Sequence, residues 1–306
     1  MGEREVFQKA KRFVYQNARP LDLARWRYHF EGGTAEEVLE ILAMYQKEDG
    51  GFGYALEPDN WNPDSTPVAT WTAVNILREL NVTDRNNPIA EGILKYLGSG
   101  KDFAEGKWYN TVATNNGYPH AVWWSCPCGT GMPDDNPTVS LAGFLLRFSE
   151  ENSPLHKTAC GIVKKAVSEF MELPTEEMHT VKNFLELLLD CEEIENFSLF
   201  DLEAFREKVQ GAVNRAVCRE PEKWYREYVF KPVDFFEPKC RIFEIAGKEL
   251  CEMQADSIGK GQCADGSYPV TWQWGTDYKE YEISANWWRA ALALDNMRYL
   301  KAMGKI

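Results

Sequence analysis

A set of five residues occurs twice in the chain, and both copies have the same internal spacing. The first copy consists of Gln46, Asp49, Gly50, Ala69 and Trp71, and the second, 216 residues later, consists of Gln262, Asp265, Gly266, Ala285 and Trp287. In each copy a polar turn that contains glycine precedes an apolar segment with helical spacing. Distant copies of a helix–turn–helix unit indicate helix pairs that repeat around a closed ring. We call residues 46–51 and 262–267 the repeated turns.

Helical signals cover most of the chain between these turns. Helices are predicted to start near Glu3, Pro20, Thr34, Thr66, Asn136 and Ser153. The first should end near Gln16 and the second near Phe30, and Thr34 forms a capping box with Glu37. Apolar stripes predict further helices over 178–189 and from Ile283. We therefore predict an all-α fold of about six helix pairs, in a single domain over residues 1–306.

The composition argues against nucleic acid and membranes as binding partners. The net charge of −13 opposes binding to nucleic acid or to anionic lipid, and no dense run of Lys or Arg offsets it. No apolar run is long enough to span a bilayer, and the Met1-Gly-Glu-Arg-Glu start lacks the apolar core of a signal peptide. We expect a cytoplasmic protein that binds no nucleic acid and has no stable membrane insertion.

The cysteines do not predict a metal centre. All eight are scattered except the pair Cys126-Pro-Cys128, and zinc sites need two ligands beyond such a pair. His120 lies six residues upstream, but no second pair completes a ligand set. We expect reduced thiols, no metal and no cofactor, with the role of Cys126 and Cys128 left open.

Three long loops, roughly 46–66, 98–137 and 254–281, hold most of the Trp, Gly, Pro, Asn and Asp residues and are the expected location of the function. Glu57 and Asp59, two residues apart, are candidate catalytic carboxylates if burial separates their pKa values. The alternative is that they cap helices or bind loop amides. His120 is the candidate general acid or base, and its alternative role is a hydrogen-bonded packing element.

Aromatic side chains in the same loops and in the helices that follow are candidate ligand platforms. The predicted binding residues are Trp61, Trp71, Trp123, Trp124, Trp272, Trp274 and Asp277. In an extended loop, Trp272 and Trp274 would share a face, and large rings of this kind suit both sugars and isoprenoid chains. The alternative is that the tryptophans pack neighbouring helices together.

The turn Asp49-Gly-Gly-Phe-Gly53 with the segment Thr70-Trp71-x-Ala73 resembles the prenyltransferase and squalene-oxidase repeat. That repeat belongs to the superfamily of terpenoid cyclases and protein prenyltransferases, which share an α/α toroid. The longer pattern Gly50-Gly-Phe-Gly-x-x-Leu-Glu-Pro-Asp59, with Trp61-Asn-Pro63, is similar to a set of uncharacterised bacterial proteins of about this length. The resemblance implies an α/α toroid over nearly the whole chain, with the three loops at one end of the ring.

The catalytic motifs of that superfamily are incomplete in this chain. Asp265 matches the aspartate of the prenyltransferase zinc site, but Ser267 stands in place of the thiolate and no histidine follows His179. The Asp-x-Asp-Asp proton donor of the cyclases is absent, because Met132-Pro133 precedes Asp134-Asp135. We therefore expect an enzyme or ligand binder with an aromatic central cavity for an isoprenoid or a carbohydrate. The alternatives are a glycan-active enzyme that uses paired carboxylates and a non-catalytic binding module.

Overall fold

The computed structural model describes residues 2–127, 129–173, 177–237 and 242–306. It is mostly helical, with 59% helix and 5% strand, which confirms the predicted helical character. Its internal contacts divide the chain into two compact units, Met1–Met44 with Val217–Ile306 (unit 1) and Tyr45–Ala216 (unit 2). The toroid and the single domain stay predictions.

Twelve α-helices lie in the described part of the chain. They are α1 Glu3–Asn17, α2 Pro20–Phe30, α3 Ala35–Leu42, α4 Pro67–Glu79, α5 Pro88–Gly98, α6 Asp135–Phe148, α7 Pro154–Glu172, α8 Met178–Glu192, α9 Leu202–Ala216, α10 Ile242–Ile245, α11 Lys248–Gly261 and α12 Tyr281–Ala302. The long loop predicted from residue 254 begins only after Gly261. The reason is that Gln254, Ala255 and Ile258 form a buried face that extends α11.

Unit 1 joins the two ends of the described chain. Helix α1 packs against α12, and α2 packs against both α12 and α3. The apolar stripe of α1 at Val6, Ala10, Phe13 and Val14 is buried, as is the Ala-rich face of α12 that includes Ala290 and Ala293. Small side chains on α12 allow neighbouring helices to approach closely.

Unit 2 is built around α6. Every residue of α6 from Pro137 to Leu146 is buried, and the helix contacts α4, α5, α7 and α8. Burial on all sides is expected for a helix that is apolar all round. The charged residue Arg147 near its C-terminal end is therefore an exception, and it belongs to the buried ion network described below.

A small antiparallel sheet interrupts the predicted 98–137 loop. Its strands are β1 Phe103–Ala104, β2 Lys107–Thr111 and β3 Met132–Pro133, in the order β1-β2-β3. The first two form a hairpin whose turn contains Glu105 and Gly106, both at positive φ. Sheet and helix are tied together where Thr138 Oγ1 accepts a hydrogen bond of 2.8 Å from the amide of Trp108.

Most predicted helix starts are confirmed. The hydroxyls of Thr66 and Ser153 accept from the amide of the third residue of their helices, and the Thr34–Glu37 capping box is complete. The α6 segment begins at Asp135, where the Asp134 carboxylate accepts from the Asn136 amide, but Asn136 and Pro137 form a kink, so the regular helix begins close to the predicted start at Asn136-Pro137. Asn136 itself has non-helical dihedral angles, as expected for a residue before proline.

The two repeated turns have the same structure. In each, the glutamine amide donates both to a carbonyl within its own turn and to a carbonyl in the first turn of a neighbouring helix. Gln46 Nε2 lies 2.9 Å from Gly50 O and 3.0 Å from Ile89 O of α5. Gln262 Nε2 lies 3.1 Å from Gly266 O and 2.9 Å from Val6 O of α1. Each turn is thereby seated on a helix.

The glycine of each repeated turn allows that seating. Gly50 has φ +92° and Gly266 has φ +95°, a region that favours glycine. A Cβ atom at position 50 would lie 2.0 Å from the carbonyl oxygen of Gly92, and one at position 266 would lie 2.2 Å from that of Lys9. Gly92 and Lys9 each lie three residues beyond the carbonyl that accepts from the glutamine. The sequence repeat is therefore a repeat of one turn-on-helix contact.

We predict that Gly50→Ala and Gly266→Ala each lower the free energy of unfolding by roughly 2–4 kcal/mol, because strain at positive φ adds to a backbone clash. The measurement is urea unfolding followed by tryptophan fluorescence. Gly100→Ala and Gly247→Ala are matched controls, since both positions have positive φ but nothing within 4 Å of the added Cβ atom. Equal losses in test and control variants would contradict the seating role.

The aspartates of the repeated turns should make stability depend on pH. Burial opposes ionisation of Asp49, but hydrogen bonds from Ser65, the Gly51 amide and Lys101 outweigh it and lower its pKa. The pKa of Asp265 is lowered in the same way, because hydrogen bonds from Ser267 and the charge of Arg289 outweigh burial. A lowered pKa in the folded state gives stability that is present above about pH 4 and is lost as the pH falls through the folded-state pKa.

We predict that Asp49→Asn and Asp265→Asn are less stable than wild type at pH 7 and that this difference shrinks as the pH falls below about 4. Urea unfolding at a series of pH values measures it. The exposed Asp256→Asn is the control and should change stability little at any pH. A difference from wild type that is the same at pH 7 and pH 3 would show that these carboxylates do not act through their charge.

Candidate functional site

Two loops of unit 2 that carry predicted site residues are paired through their backbones. The amide of Trp61 donates to Pro119 O at 2.9 Å, and the amide of Ala121 donates to Asp59 O at 2.9 Å. Between these bonds, Asn60 and His120 form an antiparallel bridge. We call residues 57–62 together with 118–126 the loop seam. The pairing places the segment of Glu57 and Asp59 beside that of His120, although sixty residues separate them in the sequence.

Asparagine side chains, of which Asn60, Asn62 and Asn115 are buried, hold the two segments of the loop seam in place. Asn115 Oδ1 accepts from Asn60 Nδ2 at 3.0 Å and from Asn62 Nδ2 at 2.9 Å. Asn115 Nδ2 in turn donates to Trp124 O at 3.0 Å. The side chain of Asn116 makes two hydrogen bonds to the backbone of Cys126: it accepts one from the amide and donates one to the carbonyl. Both sides of the seam are therefore fixed by amide side chains that the sequence did not single out.

Glu57, Asp59 and His120 are all buried in the seam. His120 Nδ1 lies 2.6 Å from Tyr118 O, and Nε2 lies 3.0 Å from Ser125 Oγ. A carbonyl oxygen can only accept, so Nδ1 carries a proton and donates to it. In the neutral ring Nε2 then accepts from the hydroxyl of Ser125. This arrangement fixes the tautomer and the orientation of the imidazole.

The tryptophans of the seam differ in exposure. Trp123 is 40% exposed, whereas Trp61 and Trp124 are half-buried. The Nε1 atom of Trp124 is buried and has no hydrogen-bond partner. The loop seam therefore combines an exposed aromatic ring with buried polar groups, which is the composition expected of a ligand site.

The remaining predicted loop residues lie in unit 1. Trp272 is half-buried and contacts Tyr228 and Trp288 edge-on, with ring centroids 5.6 and 5.4 Å apart. Trp274 is buried and contacts Tyr278 and Tyr281 instead. The two tryptophans thus belong to different aromatic groups. Asp277 is exposed.

Trp71 leads to a buried polar network that the sequence did not reveal. Its Nε1 atom donates to Glu186 Oε2 at 2.7 Å, and the same carboxylate lies 3.5 Å from Arg78 Nη1. Asp190, one helical turn after Glu186, accepts from Arg78 at 2.5 Å and from Arg147 at 2.9 Å. Two guanidinium groups and two carboxylates therefore compensate one another inside unit 2, between α4, α6 and α8.

The network leaves two acceptor atoms unused. Oε1 of Glu186 and Oδ1 of Asn183 are buried without a hydrogen-bond partner. Residues 183, 186 and 190 form a polar stripe on α8 beside the apolar stripe that predicted the helix. Only the positions of α4 and α6 distinguish this buried stripe from a solvated helix face, which is why sequence spacing did not reveal it.

We predict that Arg78→Met lowers the free energy of unfolding by about 3–5 kcal/mol, because it leaves buried carboxylates without compensation. Urea unfolding provides the measurement. Arg206→Met is the matched control, since Arg206 pairs with Glu192 between α8 and α9 at an exposed position and should cost about 1 kcal/mol or less.

Arg78→Lys retains the charge and serves as a second variant if the methionine protein does not fold. It should be intermediate in stability, since a lysine cannot reproduce the fork of hydrogen bonds. A loss at position 78 no larger than at position 206 would contradict the stabilising role of the network.

The described residues give no further indication of a metal site or of a functional cysteine. In this part of the chain no group of three or more His, Cys, Asp or Glu side chains is arranged to hold a metal ion. Asp265 instead accepts hydrogen bonds from Ser267, and Arg289 pairs with it. The six described cysteines, including Cys126, are free, and Cys128 lies outside the described residues.

Burial raises the pKa of the Cys160 and Cys251 thiols, which favours their neutral form.

Within the described residues, none of the helices has the length and apolar character needed to cross a membrane. Comparisons of the chain with protein-family models, with curated proteins and with solved structures found no match.

Proposed function

We propose that the protein is an enzyme that binds a small molecule at the loop seam and uses His120 as a general base. The observation that carries this proposal is the orientation of His120. Its Nδ1 atom carries the proton and donates it in a hydrogen bond to Tyr118 O. The lone pair is therefore on Nε2, which faces the hydroxyl of Ser125. An imidazole held in one tautomer against a proton donor is the arrangement that general-base catalysis requires.

The composition of the seam favours a ligand with both polar groups and a flat apolar face. Burying the carboxylates of Glu57 and Asp59 costs free energy, which structural hydrogen bonds or a bound ligand must offset. Trp123 offers an exposed ring in the same loop seam. A carbohydrate has hydroxyl groups for the carboxylates and a ring face for the tryptophan, so it is the ligand class that we favour.

An isoprenoid is the second candidate, and a different observation supports it. The aromatic group of Tyr228, Trp272 and Trp288 in unit 1 contains half-buried rings, and aromatic faces stabilise cations. The resemblance of the repeated turns to terpenoid cyclases and prenyltransferases points in the same direction. The α/α toroid with a central cavity belongs to this proposal too, and the packing of α1 on α12 is a contact that a closed ring needs.

Titration of tryptophan fluorescence with chitohexaose and, separately, with farnesyl diphosphate tests the ligand class. We predict saturable quenching by the oligosaccharide, with affinity reduced at least about 10-fold in Trp123→Ala and in the isosteric pair Glu57→Gln and Asp59→Asn. Met44→Ala, an exposed apolar residue outside the seam, is the control. Quenching by farnesyl diphosphate alone, abolished in Trp272→Ala, would favour the isoprenoid reading.

Quenching by neither probe up to millimolar concentration would contradict both ligand assignments. His120→Ala separates catalysis from binding, because a general base is needed for turnover while ligand affinity depends on the walls of the site. Binding of a probe without its turnover in the wild-type protein would support the ligand class but not catalysis on that probe.

A further inference from the structure

The hydroxyl of Ser125 is the hydrogen-bond partner of His120 Nε2. Ser125 Oγ lies 3.0 Å from His120 Nε2, and the opposite ring nitrogen lies 2.6 Å from the carbonyl oxygen of Tyr118. A hydroxyl, an imidazole and an oriented acceptor in this order form the arrangement that activates a serine nucleophile. The backbone carbonyl occupies the position of the carboxylate in a catalytic triad. It fixes the same tautomer, although it brings no negative charge.

We propose that Ser125 is the nucleophile of a serine–histidine pair and that the loop seam hydrolyses carboxylic esters. This inference rests on the proposed role of His120 as general base. It adds the residue on which that base acts and the class of bond that is cleaved.

The backbone around Ser125 is held rigidly. The Ser125 amide donates to Val122 O at 3.1 Å, which closes the short 3-10 turn Val122–Trp124. Asn115 holds the carbonyl before Ser125, and Asn116 clamps both polar backbone groups of Cys126 after it. A nucleophile whose neighbours on both sides are fixed requires little reorganisation before attack.

The surface beside Ser125 is apolar and exposed. Tyr118, Val122 and Trp123 are 37%, 53% and 40% exposed, and Ser125 itself is only half-buried. An ester with an aliphatic or aromatic acyl group would find apolar contacts there.

The chemistry balances with water as the co-reactant. Ser125 Oγ attacks the ester carbonyl carbon while its proton passes to His120 Nε2, and the carbonyl electron pair moves onto oxygen. Collapse of this intermediate breaks the ester C–O bond, and the imidazolium returns the proton to the leaving alkoxide, which departs as an alcohol. Water, deprotonated by His120, then attacks the acyl-serine, releasing a carboxylic acid and restoring both side chains.

A second serine–histidine contact in unit 2 provides an internal control. Ser149 Oγ lies 3.2 Å from His156 Nδ1, but its hydroxyl proton is directed at Leu145 O, 2.5 Å away. Ser149 is also buried. Its proton is committed elsewhere and its oxygen is shielded, so it should not react although its histidine is close.

Labelling with a fluorophosphonate probe, followed by peptide mass spectrometry, tests the proposal without knowledge of the substrate. We expect one phosphonyl adduct, on Ser125, in the wild-type protein. Ser125→Ala should lose the adduct, His120→Gln should slow its formation at least about 100-fold, and Ser149→Ala should label like wild type. Circular dichroism of each variant confirms folding, and a variant that is unfolded is replaced by Ser125→Gly or His120→Asn.

Hydrolysis of p-nitrophenyl butyrate provides the second readout. It should disappear in Ser125→Ala and survive in Ser149→Ala. Labelling at another residue, or labelling of Ser125 that is equally fast without His120, would overturn the proposal. If Ser125 does not react with the phosphonate but a fluorescence probe still binds, only the assignment of the nucleophile is overturned. If Ser125 is labelled but neither fluorescence probe binds, only the ligand class proposed above is overturned.

Discussion

The seating of each repeated turn on a helix fixes the positions of the elements that follow it. A glutamine amide bonded to a carbonyl of the helix, and a glycine that touches the backbone three residues further on, together leave one relative position of turn and helix. From the first turn the chain continues into the loop seam and then α4, and from the second it continues into α12. The loop seam in unit 2 and the contacts of α12 in unit 1 therefore both depend on the close approach of a repeated turn to the backbone of a helix.

Unit 2 also contains buried polar groups. Two different kinds of partner offset the free-energy cost of burying them. In the helical network, guanidinium and carboxylate groups offset each other's charge. In the loop seam, neutral asparagine amides satisfy the backbone, while the imidazole is held by one carbonyl and one hydroxyl. The first arrangement stabilises helix packing. The second holds the His120–Ser125 pair in a seam that also carries the exposed ring of Trp123, which is why we propose the function there.

The sequence predicted the helices well because their signals are local. Capping side chains at Thr34, Thr66 and Ser153, and proline in the first turn, act within four residues of the helix start. At the start of α6 a further local cap, Asp134, lies two residues before the predicted cap at Asn136. The loops also yielded Glu57, Asp59 and His120 as buried residues on adjoining segments, because unusual composition marked them.

Contacts between distant segments could not be predicted from spacing. Trp71 meets Glu186, and Arg78 meets Asp190, across more than one hundred residues, and nothing in either helix alone indicates its partner. The role of Ser125 was hidden for a different reason. A serine has a local signal only when it caps a helix or sits in a turn motif, whereas its contact with His120 depends on the conformation of the 3-10 turn between them.

The contact between Gln262 and Val6 has a consequence for the order in which the protein can form during synthesis. Unit 2 is a continuous segment, so all of its internal contacts become possible once residue 216 has left the ribosome. Helix α1 is made about 250 residues before the turn that seats on it. Until then the apolar stripe of α1 lacks both that turn and α12. While those residues are made, the amphipathic helix α1 therefore has neither of these two packing partners, and of its neighbours in unit 1 only α2 is already present.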